Sequence, residues 1–212
     1  MKPIKIRVVE IIKTLRKLYP KSRTALCYRS PLEILVATIL SAQCTDKRVN
    51  KVTPGLFKKY KNVYGFSRAK QASLEKDIHS CGFFRSKAKN IIASSRRIVE
   101  VFSGKVPDTI DDLLTLPGVA RKTANIVLSS AFKKSEGIAV DTHVKRLSGR
   151  LGLSKNLDPN KIEEDLLKIV PKKYWIDFNY ILVDHGRAIC DARKPLCSEC
   201  AIRKLCPSLN KI

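Results

Sequence analysis

Acidic side chains are scarce in this 212-residue chain: 19 Asp and Glu stand against 42 Lys and Arg, a formal net charge of +23. Such an imbalance asks for a polyanionic partner, unless it only reflects a lysine-rich background. Nucleic acid fits best, because each neutralised phosphate releases a counterion; membrane surfaces and ribosomal-type RNA compete. Long apolar runs are missing too. The best candidate, residues 34–42, contains Thr38 and Ser41 and falls well short of the roughly 18 residues of a membrane span, so no membrane partner is expected. The first twenty residues mix charge with aliphatics and lack a signal-type apolar core, which points to a mature amphipathic helix and not a cleaved signal; the expected location is cytoplasmic, nucleoid-associated if the source is bacterial or archaeal.

Glycine (9) and proline (10) are too few and too dispersed for a fibrous or low-complexity chain. Strand-type alternation and solenoid-length repeats are also missing. His79, His143 and His185 have no metal-ligand spacing among themselves, which argues against zinc-hydrolase chemistry. An odd count of 7 Cys, four of them within the last 23 residues, is a poor disulfide framework and a better metal or cluster site. Cys27, Cys44 and Cys81 lie outside that group and read as small buried apolar residues.

Apolar residues recur at spacings of three and four in 8–18, 32–40, 88–102, 123–132 and 162–170, so the expected fold is all-α. Ser30, Pro31 and Glu33 together mark a helix start. Turns are expected at Thr53-Pro54-Gly55, Cys81-Gly82, Ser103-Gly104, Pro117-Gly118 and Asp158-Pro159, with a domain boundary near 133–137.

Thr109 and Asp112 form a capping pattern ahead of Leu116-Pro117-Gly118-Val119-Ala120-Arg121-Lys122, and a second apolar-periodic helix follows. A hairpin of this kind, spanning about 109–132, can aim the backbone of Gly118, Val119, Ala120 and Arg121 at a phosphate. It can equally be an ordinary helix corner. Lys122 begins the second helix. Surrounding positive charge favours a neutral amine able to attack carbon, while a solvated phosphate-binding lysine is the plainer reading. Asp141 precedes another amphipathic helix and can cap it. Cys190, Cys197, Cys200 and Cys206, spaced C-x6-C-x2-C-x5-C, can hold zinc or an iron–sulfur cluster.

LPGVARKTANIVL, VDTHVKRL, SAQCTD and the cysteine spacing, in that relation to one another, resemble the helix-hairpin-helix DNA glycosylases of the endonuclease III family. The resemblance covers residues 7–206. It implies a two-lobed all-α fold: a six-helix lobe over 24–135, and a cluster lobe built from 1–23 and 136–212, with Lys122 and Asp141 facing each other across the cleft. It further implies a monomeric glycosylase and AP lyase that removes oxidised pyrimidines from double-stranded DNA carrying damaged bases or abasic sites. Lys122 is then the Schiff-base nucleophile, Asp141 its catalytic partner, and the four Cys hold a [4Fe-4S] cluster. Family branches without this lysine mostly remove bases without efficient nicking.

By the same resemblance Gln43 fills the gap left by a flipped nucleotide, Phe83 takes the place of an apolar wedge, and His143, Arg193 and Lys194 touch DNA. A polar helix end, a packing aromatic and solvated loop charges are the alternatives for Gln43, Phe83 and the two cations. One departure stands out. The family turn commonly reads Gly-hydrophobic-Gly, and Ala120 occupies the second glycine position, at a cost of about 1 kcal/mol if that position requires positive φ.

Overall fold

Ser30 realises its expected chemistry directly. Its hydroxyl accepts the Glu33 N–H at 3.2 Å, Pro31 takes the first helical position, and the Glu33 carboxylate reaches back to the Arg29 N–H at 2.7 Å. The computed structural model describes residues 2–209, and among these every regular element is helical. In chain order the α-helices are α1 (Ile4–Leu18), α2 (Pro31–Ser41), α3 (Asp46–Lys59), α4 (Val63–Ser67), α5 (Gln71–Ile78), α6 (Phe84–Val101), α7 (Ile110–Leu114), α8 (Arg121–Val127), α9 (Thr142–Arg150), α10 (Pro159–Ile169) and α11 (Trp175–Ala188). Among the described residues no helix is long and apolar enough to cross a membrane.

The chain divides into two compact units. The continuous one, Ala25–Glu136, carries α2 to α8; the other joins the chain up to Thr24 with the segment from Gly137 onward. In the continuous unit, α6 packs against α2, α4 and α5. Ile34, Leu35, Leu40, Phe66, Leu74, Ile78, Ile91 and Ile98 are almost completely enclosed in its core. Each such side chain contributes about 1.5–3 kcal/mol of apolar burial.

The discontinuous unit has its own core. Val8, Ile11, Ile12 and Leu15 fall at i, i+3, i+4 and i+7 on α1, which makes one apolar stripe. That stripe shares a core with Ile162, Leu166, Phe178, Ile181 and Leu182. Arg7 is buried beside it, with its guanidinium donating to the carbonyls of Leu151, Gly152 and Leu205. Its charge is thus hydrogen-bonded, as a buried cation requires.

Two expectations are corrected. Thr53-Pro54-Gly55 is no turn, because Pro54 lies inside α3. Proline in a helix interior costs about 3 kcal/mol, yet Val49, Thr53 and Leu56 are buried along that helix on both sides of it, and their packing carries the helix through. The stretch 123–132 is not one uniform α-helix either: α8 ends at Val127, and 128–132 continues as a wider π-helical turn. The Leu128 carbonyl accepts the N–H groups of both Lys133 and Lys134, which draws the chain into that wider turn before Lys133 closes it in a left-handed conformation.

Candidate nucleic-acid interface

The hairpin begins with a cap. Thr109 Oγ1 accepts the Asp112 N–H at 3.3 Å and donates to its carboxylate at 2.7 Å, which fixes the five-residue α7. Leu116 and Val119 are buried and anchor the turn, leaving Gly118, Ala120 and Lys122 exposed. Gly118 sits at φ +77°, where a Cβ would meet Asn90 Nδ2 at 2.6 Å. Next to it, Ser94 donates to the Pro117 carbonyl at 2.5 Å and Arg97 to Thr115 Oγ1 at 2.9 Å. The long helix α6 therefore backs the whole turn.

Ala120 has φ −90° and ψ 170°, extended backbone open to any residue. The penalty anticipated for it does not arise, because the left-handed step has already been taken at Gly118. Ala120 is the N-cap of α8 and brings no side-chain acceptor. The first amides of α8 thus receive no cap from that residue, and such amides favour an anion. Arg121 and Lys122 form the first turn beside them.

Gln43 and Phe83 share an unusual backbone. Both are non-glycine residues at positive φ, 51° and 45°, and both are exposed, Phe83 to 66%. A bulky aromatic in water on left-handed backbone carries two costs at one residue, a signature of functional tips. The neighbouring Phe84 is the packing aromatic, its ring 4.5 Å from that of His79. Of the three cysteines outside the C-terminal group, only Cys81 is fully buried; Cys44 is half-buried and Cys27 exposed, which corrects the expectation for those two. Burial pushes the Cys81 thiol up to about 11, so it stays neutral.

In the other unit Asp141 caps α9. Its Oδ1 accepts the N–H groups of His143 at 2.9 Å and Val144 at 2.8 Å, while Oδ2 lies 3.4 Å from His143 Nδ1. The approach to it is held by two buried polar side chains: Glu163 accepts the Ile138 N–H at 3.1 Å, and Asn179 donates to the Ala139 carbonyl at 2.9 Å. One carboxylate oxygen is thus committed to the backbone and the other to His143.

The four C-terminal thiols line a single cavity of about 30 Å³, together with Leu147, Leu151, Ile189 and Ile202. Among the described residues, no three His, Cys, Asp or Glu side chains are gathered as a metal-ion site. A single zinc needs its sulfurs about 2.3 Å from one point, and thiols that share a pocket without being gathered so closely suit a polynuclear group better. Burial, with the other thiols adding to it, pushes the Cys200 and Cys206 thiols up, as expected of sulfurs that share one pocket. Arg150 Nη1 lies 3.3 Å from Cys190 Sγ, and the same guanidinium donates to the carbonyls of Asp191 and Ala192. His185 is buried, held neutral with its pKa lowered to about 4, and its Nε2 lies 3.5 Å from Cys200 Sγ. The loop cations Arg193 and Lys194 are exposed, and their backbone amides donate to the Asp191 carboxylate.

Sequence reasoning missed Lys87, Asn90, Ser94 and Arg150. The spacing 87, 90, 94 places three polar residues along one side of an apolar-periodic helix, and that signal could have found the first three.

Residues 36–172 match the model of the HhH-GPD superfamily of base excision DNA repair proteins. The endonuclease III of Synechocystis sp. is 56% identical over 204 residues, covering 96% of this chain and 93% of its own. A solved non-covalent endonuclease III–DNA complex superposes with a TM-score of 0.93 at 40% identity, covering 100% of this chain and 98% of that one. A trapped covalent endonuclease III–DNA intermediate gives the same TM-score and identity, with 100% and 99% coverage.

Proposed function

The chain belongs to the endonuclease III family of the HhH-GPD superfamily of base excision DNA repair proteins, and accordingly we propose that it is a bifunctional DNA N-glycosylase and AP lyase that removes oxidised pyrimidines through Lys122. The observation that carries this reading is the placement of Lys122: exposed, in the first turn of α8, directly after the Gly118 turn and an N-cap, Ala120, that brings no side-chain acceptor. A phosphate gripped by that turn holds the neighbouring sugar close to the amine.

In the proposed reaction the Lys122 Nζ attacks the sugar C1′. The N-glycosidic bond breaks, and its electron pair leaves with the damaged base, which takes up a proton. Asp141 stabilises the positive charge that develops on the sugar and takes the proton shed by the attacking amine. The C1′–O4′ bond then opens, with O4′ taking the proton held by Asp141, and the resulting iminium makes the C2′ proton acidic. Its removal expels the 3′ phosphate, which nicks the strand 3′ of the abasic site. Water finally hydrolyses the imine and frees Lys122.

Base removal requires the nucleotide to leave the stack, which costs a few kcal/mol and less for a damaged base. Gln43 and Phe83, side chains exposed on left-handed tips, are suited to occupy the vacated space. His143, Arg193 and Lys194 add contacts to the DNA. Cys190, Cys197, Cys200 and Cys206 are suited to hold a [4Fe-4S] cluster, which when bound would fix the shape of the loop between the first two of them. The protein acts as a monomer.

Borohydride reduction tests the assignment. Wild-type protein should form a covalent adduct with abasic duplex, and Lys122→Gln should form none while still binding DNA. Trapping that persists in this variant removes Lys122 as the nucleophile. Duplexes carrying thymine glycol, a uracil mismatch or 8-oxoguanine test the substrate: cleavage confined to the second or third overturns the oxidised-pyrimidine assignment.

A further inference from the structure

Lys87 is a buried ammonium placed between two chain segments that are far apart in sequence. Its Nζ donates to the Leu40 carbonyl at 2.8 Å and to the Cys81 carbonyl at 2.6 Å. Leu40 lies in the last turn of α2, where carbonyls lack helical partners. Cys81 closes the short 3-10 turn before Gly82. Gln43 follows the first anchor by three residues and Phe83 follows the second by two. An aliphatic side chain at position 87 would leave both carbonyls without that donor, and a buried cation without them would be costly.

The two tips need such a brace. Positive-φ conformations at non-glycine residues persist only where the surroundings over-determine them, and Gln43 and Phe83 each hold one. Lys87 also belongs to a series along α6. Asn90 sits under Gly118 and Ser94 donates to the Pro117 carbonyl, so positions 87, 90 and 94 connect the tips to the turn. Lys87 and Ser94 are about 10 Å apart along the helix axis, the length of about three base-pair steps.

We propose that Lys87 is a positioning residue that holds Gln43 and Phe83 as one rigid pair for insertion into the duplex, with α6 keeping that pair in register with the phosphate-gripping turn. The inference rests on the reading above in which both side chains enter the DNA. Lys87 touches neither the sugar nor the base, so its loss should spare the chemistry and impair the extrusion that precedes it.

The test uses the full chain and two probes. The first is a duplex with 2-aminopurine opposite a tetrahydrofuran abasic analogue, whose fluorescence reports insertion. The second is a pair of reactive substrates, a thymine-glycol duplex and a single-stranded abasic oligonucleotide. Lys87→Met should lose the fluorescence change while still binding the duplex, and should cut the thymine-glycol duplex about 10- to 100-fold more slowly. Its borohydride trapping on the single-stranded abasic site, where nothing must be extruded, should stay near wild type. Lys87→Arg, which keeps charged donors, should recover part of the fluorescence change. Lys87→Gln, with the same losses expected, replaces the Met variant if that one does not fold.

A general packing role predicts equal losses on both reactive substrates, and that result overturns the inference. Wild-type protein that leaves the fluorescence unchanged sinks the insertion reading and this inference with it. A wild-type response that Lys87→Met retains sinks the inference alone.

Discussion

A Cβ at Gly118 would meet the Asn90 side chain at 2.6 Å, so the hairpin turn and α6 are in contact with no room for one more carbon. Gly118→Ala should therefore suffer twice, from left-handed backbone and from crowding, and lose about 2–4 kcal/mol of stability. Denaturant unfolding checks the magnitude, and duplex affinity should fall with it. Adding Asn90→Ala should recover only part of the crowding, because the Asn90 Cβ, 2.7 Å from the added carbon, remains, and should leave the backbone part, a non-additivity read from the double-mutant cycle.

Ala120→Asp separates a phosphate-gripping turn from a plain helix corner. An Asp N-cap should stabilise α8, raising unfolding free energy by about 1 kcal/mol. Its carboxylate would occupy the amides that a phosphate needs, so duplex affinity should drop even as the protein becomes harder to melt. Improved stability with unchanged affinity, measured at matched salt, would reduce the turn to a corner.

For Asp141→Asn the fold and the chemistry should part company. Asparagine caps as well as aspartate, so the Asp141 bonds to the His143 and Val144 amides can be replaced and stability should change little. Loss of the charge should slow single-turnover base release by about 100- to 10,000-fold. Near-normal rates would leave Asp141 as a cap and nothing more.

Protein prepared without air should be brown, contain iron, and bleach when the iron is removed. The segment 190–206 should then become protease-sensitive. Arg150→Ala should increase that sensitivity even with iron bound, because this side chain ties α9 to the carbonyls of Asp191 and Ala192. A colourless, iron-free preparation rules out the cluster.

Short-range signals were the readable ones. Ser30, Thr109 and Asp141 announce helix starts because a cap acts within two or three residues of itself. The position of Lys122 at the start of α8 was legible from the Pro117-Gly118 turn just before it, since the N-cap Ala120 gives no such signal. Pro54 misled because a local breaker was overridden by burial along α3. Ala120 misled because the motif lent it a glycine's conformation, whereas one left-handed residue at Gly118 already makes the turn. Lys87 was marked only by the 87, 90, 94 spacing, which does not name its contacts, since one of its carbonyl partners lies 47 residues away.

The discontinuous unit has a consequence for biosynthesis. The apolar stripe of α1 leaves the ribosome first, but the Leu151 carbonyl that receives Arg7 is 144 residues later. At about 5–20 residues per second, that partner is made on the order of ten seconds afterwards. During the delay Ala25–Glu136 can fold around its own core, while Val8, Ile11, Ile12 and Leu15 wait without theirs. The apolar stripe of nascent α1 thus stays without its core partners until α10 and α11 have been translated.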